Sequence, residues 1–178
     1  AATSRALATA QWTGKPYAGS HDPAHADAEP LARIGPAVSW HIADPSAAID
    51  AAVSCARVTH QAPLTLDAVR YFAAVLAGAL AGMDKAGLLA PMVGPVPGYW
   101  DEFPLRARVH EVAEGSWRGR EPRRIVAGEN AAAAALAAAL WSFDHGQYLS
   151  RWLEGAASHG SAPNTVTAIV GQLAGAHY

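Results

Sequence analysis

A few stretches of this 178-residue sequence combine residue types and spacings that could do chemistry. The densest is "HDPAHADAE", where His21, Asp22, His25, Asp27 and Glu29 offer metal-type donors. His21 and His25 would share a face only on a helix. Pro23 and the flanking Gly19 favour a loop instead, so the stretch reads as a solvated loop rather than a metal site. Asp67 and Arg70 stand three apart in an apolar segment. Buried charges need partners, so these two read as a structural ion pair rather than catalytic groups. His60 falls at a helix end, where the dipole favours a cation. Tyr99 and Trp100, in the Pro/Gly loop "APMVGPVPGYWDEF", are the best surface for stacking a flat group such as adenine, with packing against the core an equal alternative. Ser39, Ser54 and Ser142 lack a nucleophile's context, and there is no phosphate-cradling glycine loop of the Walker kind.

The closing segment, "HGSAPNTVTAIVGQLAGAHY", sets a loop of small and polar residues before an apolar helix containing Gly171 and Gly175. Each glycine costs about 1 kcal/mol relative to alanine within a helix. The expectation is therefore that this helix presses its backbone against a neighbour, or holds the loop beside something that binds there.

The elements that must position these residues are helical throughout. Residues 3–13 read as a first helix. "LARIGPAVSWHIA" starts a second helical segment that Pro36 kinks or restarts. In "ADPSAAIDAAVSCARVTH", Asp44 is placed to cap, with Pro45 at the first helical position. "APLTLDAVRYFAAVLAGALAG" is apolar nearly all round, the mark of a buried central helix, with Ala68 to Gly82 expected to be the most buried part. "DKAGLL", "PLRARVHEVAEGSW", "NAAAAALAAALWSF", "GQYLSRWLEGAAS" and the closing segment complete the series. No run alternates β-branched residues with polar ones, so the fold class is all-α, one compact multi-helix domain over 1–178.

Composition narrows the function. Hydrophobic residues make up 51% and charged residues 16%, and the net charge is −2; nothing here attracts nucleic acid or an anionic membrane. The basic stretch "RGREPRR" is broken by Glu121 and Pro122 and reads as a solvated loop. The apolar run from Ala68 to Met83 contains Arg70 and falls short of the roughly 20 residues of a membrane span. Cys55 is the single cysteine, which excludes an intrachain disulfide and suits a cytoplasmic location.

Several of these stretches together resemble the ADP-ribosylglycohydrolase family, which includes dinitrogen reductase-activating glycohydrolases and J1 crystallins. They are "ADPSAAIDAAVSCARVTHQAPLTLDAVRYFAAVLAGALAG", "APMVGPVPGYWDEFPL", "AAALWSF" and "TAIVGQLAGAHY". The resemblance covers the C-terminal two-thirds of a typical member and lacks the N-terminal helices that carry a Thr-Asp-Asp metal motif. It implies an all-helical domain, two Mg²⁺ or Mn²⁺ ions in a central cleft, and hydrolysis of the bond joining ADP-ribose to an acceptor. Paired cations could polarise the ribose hydroxyls and supply an activated water, and such hard ions require charged oxygen ligands.

This sequence departs from the family at three places. Where the resemblance implies a Gly-Asp-Asp-x-Asp-Thr metal loop, the chain reads Gly160, Ser161, Ala162, Pro163, Asn164, Thr165; Asn164 and Thr165 are the remaining metal-facing positions. The segment that would meet the substrate diphosphate reads Asp27, Ala28, Glu29, Pro30, Leu31, Ala32, Arg33, adding negative charge and removing an N–H. The loop before the Ala-rich helix reads Gly128, Glu129, Asn130, Ala131, with Ala134 and Ala137 at polar positions of that helix. Ligand contacts are therefore expected from Tyr99, Trp100, Gly128 and Asn130, with no resident cofactor unless Mg²⁺ or Mn²⁺ is restored. Three functions follow as expectations: a non-catalytic binding or companion subunit, a hydrolase completed by a second polypeptide supplying the N-terminal helices, or a crystallin-like structural protein. The first residues read as mid-domain helix, so a second chain or a homo-oligomer is expected as partner, with a nucleotide-like small molecule as ligand.

Overall fold

A computed structural model describes residues 2–94, 96, 98–119, 130–148, 150–152, 154 and 163–178. In chain order the named helices are α1 (Ala2–Thr13), α2 (Gly35–Trp40), α3 (Pro45–Arg57), α4 (Pro63–Leu80), α5 (Lys85–Leu88), α6 (Tyr99–Glu102), α7 (Ala107–Ala113), α8 (Ala131–His145) and α9 (Pro163–His177), with 3₁₀ turns at Pro23–His25 and Glu29–Arg33. Among the described residues there is no sheet; the single β-bridge joins Ser20 to His60. The all-α expectation therefore holds.

Helix α4 is the axis. Thirteen of its eighteen residues are buried, as its apolar surface demands. Helices α2, α3, α5, α7, α8 and α9 all pack against it. By length and composition it could cross a membrane, but 72% of that window is buried inside the domain, so its apolarity is already used. Burial ends earlier than the sequence suggests: Ala79 is buried whereas Leu80 is 36% exposed. The cause is Gly82, whose φ of +84° ends the helix. Its N–H donates to the Ala79 carbonyl, and the Met83 N–H donates to that of Gly78, the paired reverse bonds of a Schellman turn.

The predicted start of α3 is also observed. The Asp44 carboxylate accepts from the N–H groups of Ser46 and Ala47, both at 3.1 Å, with Pro45 at the first helical position. The Ala-rich α8 buries Ala132, Ala135, Ala138 and Ala139 against its neighbours, and small side chains are what allow such close helix approach. Its C-terminal carbonyls are closed by the Lys85 ammonium, which donates to Asp144 and Gly146 at 2.7 and 2.8 Å.

Helix α9 corrects one expectation. Val166, Ile169, Val170, Leu173 and Ala174 form its buried face, but Gly175 is exposed, and a Cβ there would meet nothing within 4 Å among the described residues. Close packing is therefore not the reason for Gly175. Two substitutions test this description by urea unfolding. Asp44→Ala should cost about 1 kcal/mol through loss of the cap, whereas Gly175→Ala should stabilise by roughly 0.5 kcal/mol because an open helical position gains propensity without collision.

Candidate functional site

The segment from Tyr17 to Arg33 lies against the end of α3. The Gln61 N–H donates to the Ser20 carbonyl at 2.9 Å, and the Gln61 amide donates to the carbonyls of Tyr17 and Gly19 at 3.3 and 3.1 Å. Gly19 is needed here because a Cβ would collide with the backbone of Thr59 and His60. The loop then turns at Pro23–His25, where the Asp22 carboxylate accepts from the Ala24 N–H at 2.9 Å. His25 is held by Ser20 at 3.2 Å, while His21 and Asp22 face solvent. So far the solvated-loop reading holds.

Beyond His25 it fails. The chain is pinned inward: the Ala26 carbonyl accepts from the Ala132 N–H at 2.9 Å, and the Asp27 carbonyl accepts from the Thr65 hydroxyl at 3.1 Å. The carboxylates of Asp27 and Glu29 then converge on the His60 imidazole, 3.7 and 3.8 Å from its Nε2. His60 is only 1% exposed. Its Nδ1 lies 2.9 Å from the Thr59 hydroxyl, which accepts from the Arg33 guanidinium, and its Nε2 faces the two carboxylates just beyond hydrogen-bond distance. Burial pushes this imidazole below its ordinary value of 6.5, against the opposing pull of Glu29 and Asp27. His60 does follow a helix, but its buried ring faces two partly exposed carboxylates rather than capping that helix toward solvent.

From the other side, Gln172 of α9 fixes the turn that carries Arg33. Its carbonyl accepts from the Gly35 N–H at 2.7 Å and its amide donates to the Leu31 carbonyl at 2.8 Å. Neither this clamp nor the His60 cluster stands out in the sequence. The one signal is a polar Gln within the apolar run of the closing helix.

The Asp67–Arg70 pair forms as expected, at 3.1 Å, and Asp67 also accepts from the Arg106 N–H at 2.9 Å. Arg70 lies 5.6, 5.6 and 5.8 Å from the ring centres of Tyr99, Trp100 and Phe103. The Trp100 indole donates to the Val93 carbonyl at 3.2 Å. Tyr99 and Trp100 therefore stand together, half-buried, with their rings engaged by Arg70 and by each other at 5.0 Å.

Asn130 is exposed at the start of α8, and its side chain makes no capping bond; Gly128 lies outside the described residues. Asn164 is exposed and Thr165 half-buried in the first turn of α9, while Ser161 and Ala162 lie outside the described residues. No hydrogen bond or ring contact among the described residues joins Asn130, Asn164 or Thr165 to the Tyr99–Trp100 cluster. At the metal-loop positions, an amide and a hydroxyl are neutral donors and do not fit a hard divalent pair, which requires anionic oxygens.

These features define the class: an all-helical domain built around one buried helix, with a polar cluster where the 27–33 turn, the end of α3 and the start of α8 meet. The sequence matches the ADP-ribosylglycohydrolase family over residues 1–178. A solved structure described as an "ADP-ribosylglycohydrolase-related protein complex" shares 34% identity at a TM-score of 0.85, aligned over 99% of this chain and 58% of that one. The chain belongs to the ADP-ribosylglycohydrolase family and spans somewhat over half the length of that relative. No curated protein matches it.

The pairing of Asp67 makes a direct prediction. Asp67→Ala leaves the mostly buried Arg70 guanidinium without its carboxylate and should destabilise by roughly 3 kcal/mol. Urea unfolding followed by tryptophan fluorescence should report both the loss and a changed environment for Trp100.

Proposed function

We propose that this chain is a non-catalytic binding or companion subunit built on the ADP-ribosylglycohydrolase fold. The observation carrying this reading is the chemistry of the 27–33 turn. Asp27 and Glu29 present carboxylates beside His60, on the segment that the family resemblance aligns with the substrate-diphosphate contact. Negative groups there oppose a diphosphate, and Pro30 offers it no N–H. The neutral Asn164 and Thr165 at the metal loop support the same reading, because two-metal hydrolysis needs cations held by charge.

A second reading has one observation in its favour. The chain covers 58% of the related structure, so a further polypeptide could supply helices and carboxylates that this one lacks. In that assembly the protein would be one part of a hydrolase acting on ADP-ribosylated substrates. A nucleotide-like ligand would then meet Tyr99, Trp100 and the Gly128–Asn130 loop.

Incubation with an ADP-ribosylated protein in Mg²⁺ or Mn²⁺ separates the two readings. Released ADP-ribose is measured by chromatography. The chain alone is expected to release none; release by the chain alone would make it a hydrolase, and release only after a helical partner is added would favour the completed assembly. The paired change Ala162→Asp with Asn164→Asp should raise Mn²⁺ affinity in that assembly, measured by calorimetry.

A further inference from the structure

We infer that the cavity between the C-terminal ends of α8 and α9 is a binding site for a small organic carboxylate. This goes beyond the companion-subunit reading and does not depend on it. The cavity measures about 430 Å³ and is lined by Lys85, Gly146, Gln147, Trp152, His177 and Tyr178. The starting point is the indole of Trp152, which is 3% exposed and whose Nε1 has no hydrogen-bond partner among the described residues. Buried polar side-chain atoms nearly always find a partner, and an exception calls for a physical cause. The ring itself is firmly placed. Its centre lies 5.0 Å from that of Phe143 and 6.3 Å from that of His177. Gly146 takes the edge that carries Nε1, since a Cβ there would overlap both Cδ1 and Nε1 of the indole. The unpaired N–H therefore lies beside Gly146, on the wall of the cavity.

The donors there define the ligand. An indole N–H and a lysine ammonium only donate, so the occupant must accept. Lys85 Nζ gives two of its three hydrogens to the carbonyls of Asp144 and Gly146, which leaves one for a ligand. Both donors are gathered on Gly146: Nζ bonds to its carbonyl and the Trp152 Nε1 lies against its Cα. Burial pulls the Lys85 ammonium below its ordinary value of 10.5, and the opposing pull of Asp144 is the weaker effect; an anion supplies the missing charge. The Asp144 carboxylate is turned to His145 at 3.8 Å and is not part of the wall. Water would satisfy the indole but carries no charge to match Lys85. Volume separates an organic ligand from a bare ion: pockets for small organic molecules run from about 300 to 1,000 Å³. Here the His177 and Tyr178 rings supply flat surface for the body of the ligand, and the exposed Gln147 offers an amide at the rim.

The test uses the full chain, isotope-labelled at its tryptophans, titrated with benzoate, acetate and inorganic phosphate and followed through its indole N–H resonances by NMR. Of the six indole signals, the one missing in Trp152→Phe should move furthest with benzoate, downfield and to saturation. Acetate should move the same signal with weaker affinity, because it has no body to lie on the rings. Trp152→Phe keeps a packed ring but removes the donor, and it should weaken benzoate binding roughly tenfold by calorimetry. Lys85→Met should weaken it by at least as much. Lys85 also closes the end of α8, so circular dichroism checks that this variant folds; if it does not, Trp152→Phe carries the test. An unmoved Trp152 signal in the unmodified chain, or undiminished binding in Trp152→Phe, would overturn the inference. So would phosphate binding as tight as that of benzoate, the mark of a site for a bare anion.

Discussion

The requirement that most shapes this protein is that α4 be covered on every side. A helix with apolar residues from Ala68 through Ala79 cannot leave a face to water without losing about 25 cal/mol for each square ångström of apolar surface. Six other helices supply that cover, several of them with alanine, which brings backbones close and leaves little room for polar groups between them. The polar chemistry of the His60 cluster and of the Asp67 pair is displaced to the N-terminal end of α4. At its start, Thr65 reaches the Asp27 carbonyl; one turn later Asp67 and Arg70 gather Arg106 and the aromatic loop. The polar cluster and the aromatic cluster are thus both consequences of a single buried helix.

The helices themselves were legible because their signals are local. Asp44 with Pro45 caps α3, the apolar run marks α4, and alanine content marks α8; each is contained within its own element. The Asp67–Arg70 pair was legible for the same reason, since three residues on a helix fix the geometry. Gly175 misled because a glycine in an apolar helix suggests close packing, whereas only the position of the neighbours reveals open space. The second half of "HDPAHADAE" misled because its partner, His60, is more than thirty positions away and arrives only when Gly19 lets the loop lie on the end of α3. Gln172 reaches Leu31 and Gly35 from the far end of the chain, and no spacing rule links those positions.

Family resemblance adds scaffold information and, by contrast, identifies what has changed. The elements that set the fold are present, and so is Thr165, yet the charges have been redistributed. Carboxylates are lacking at 162 and 164, where a metal loop would want them, and are present at 27 and 29, where a diphosphate would repel them. Carboxylates placed in this pattern are poorly suited to holding hard cations at one position and an anionic nucleotide at the other.

Whether such a pattern is mere loss depends on how the new groups are supported. Unsupported substitutions leave side chains free in solvent or buried without partners. Here Thr3 holds Glu29, Thr65 holds the backbone at Asp27, Arg33 orients Thr59, Thr59 orients His60, and Gln172 fixes the turn that carries Arg33. The His60 ring is thereby set from behind, and its Nε2 faces the Asp27 and Glu29 carboxylates at 3.7 and 3.8 Å. Ordering several side chains costs conformational entropy that the contacts must outweigh. A cluster supported by this many contacts is therefore a structural joint between the 27–33 turn and the end of α3, not a set of unsupported substitutions.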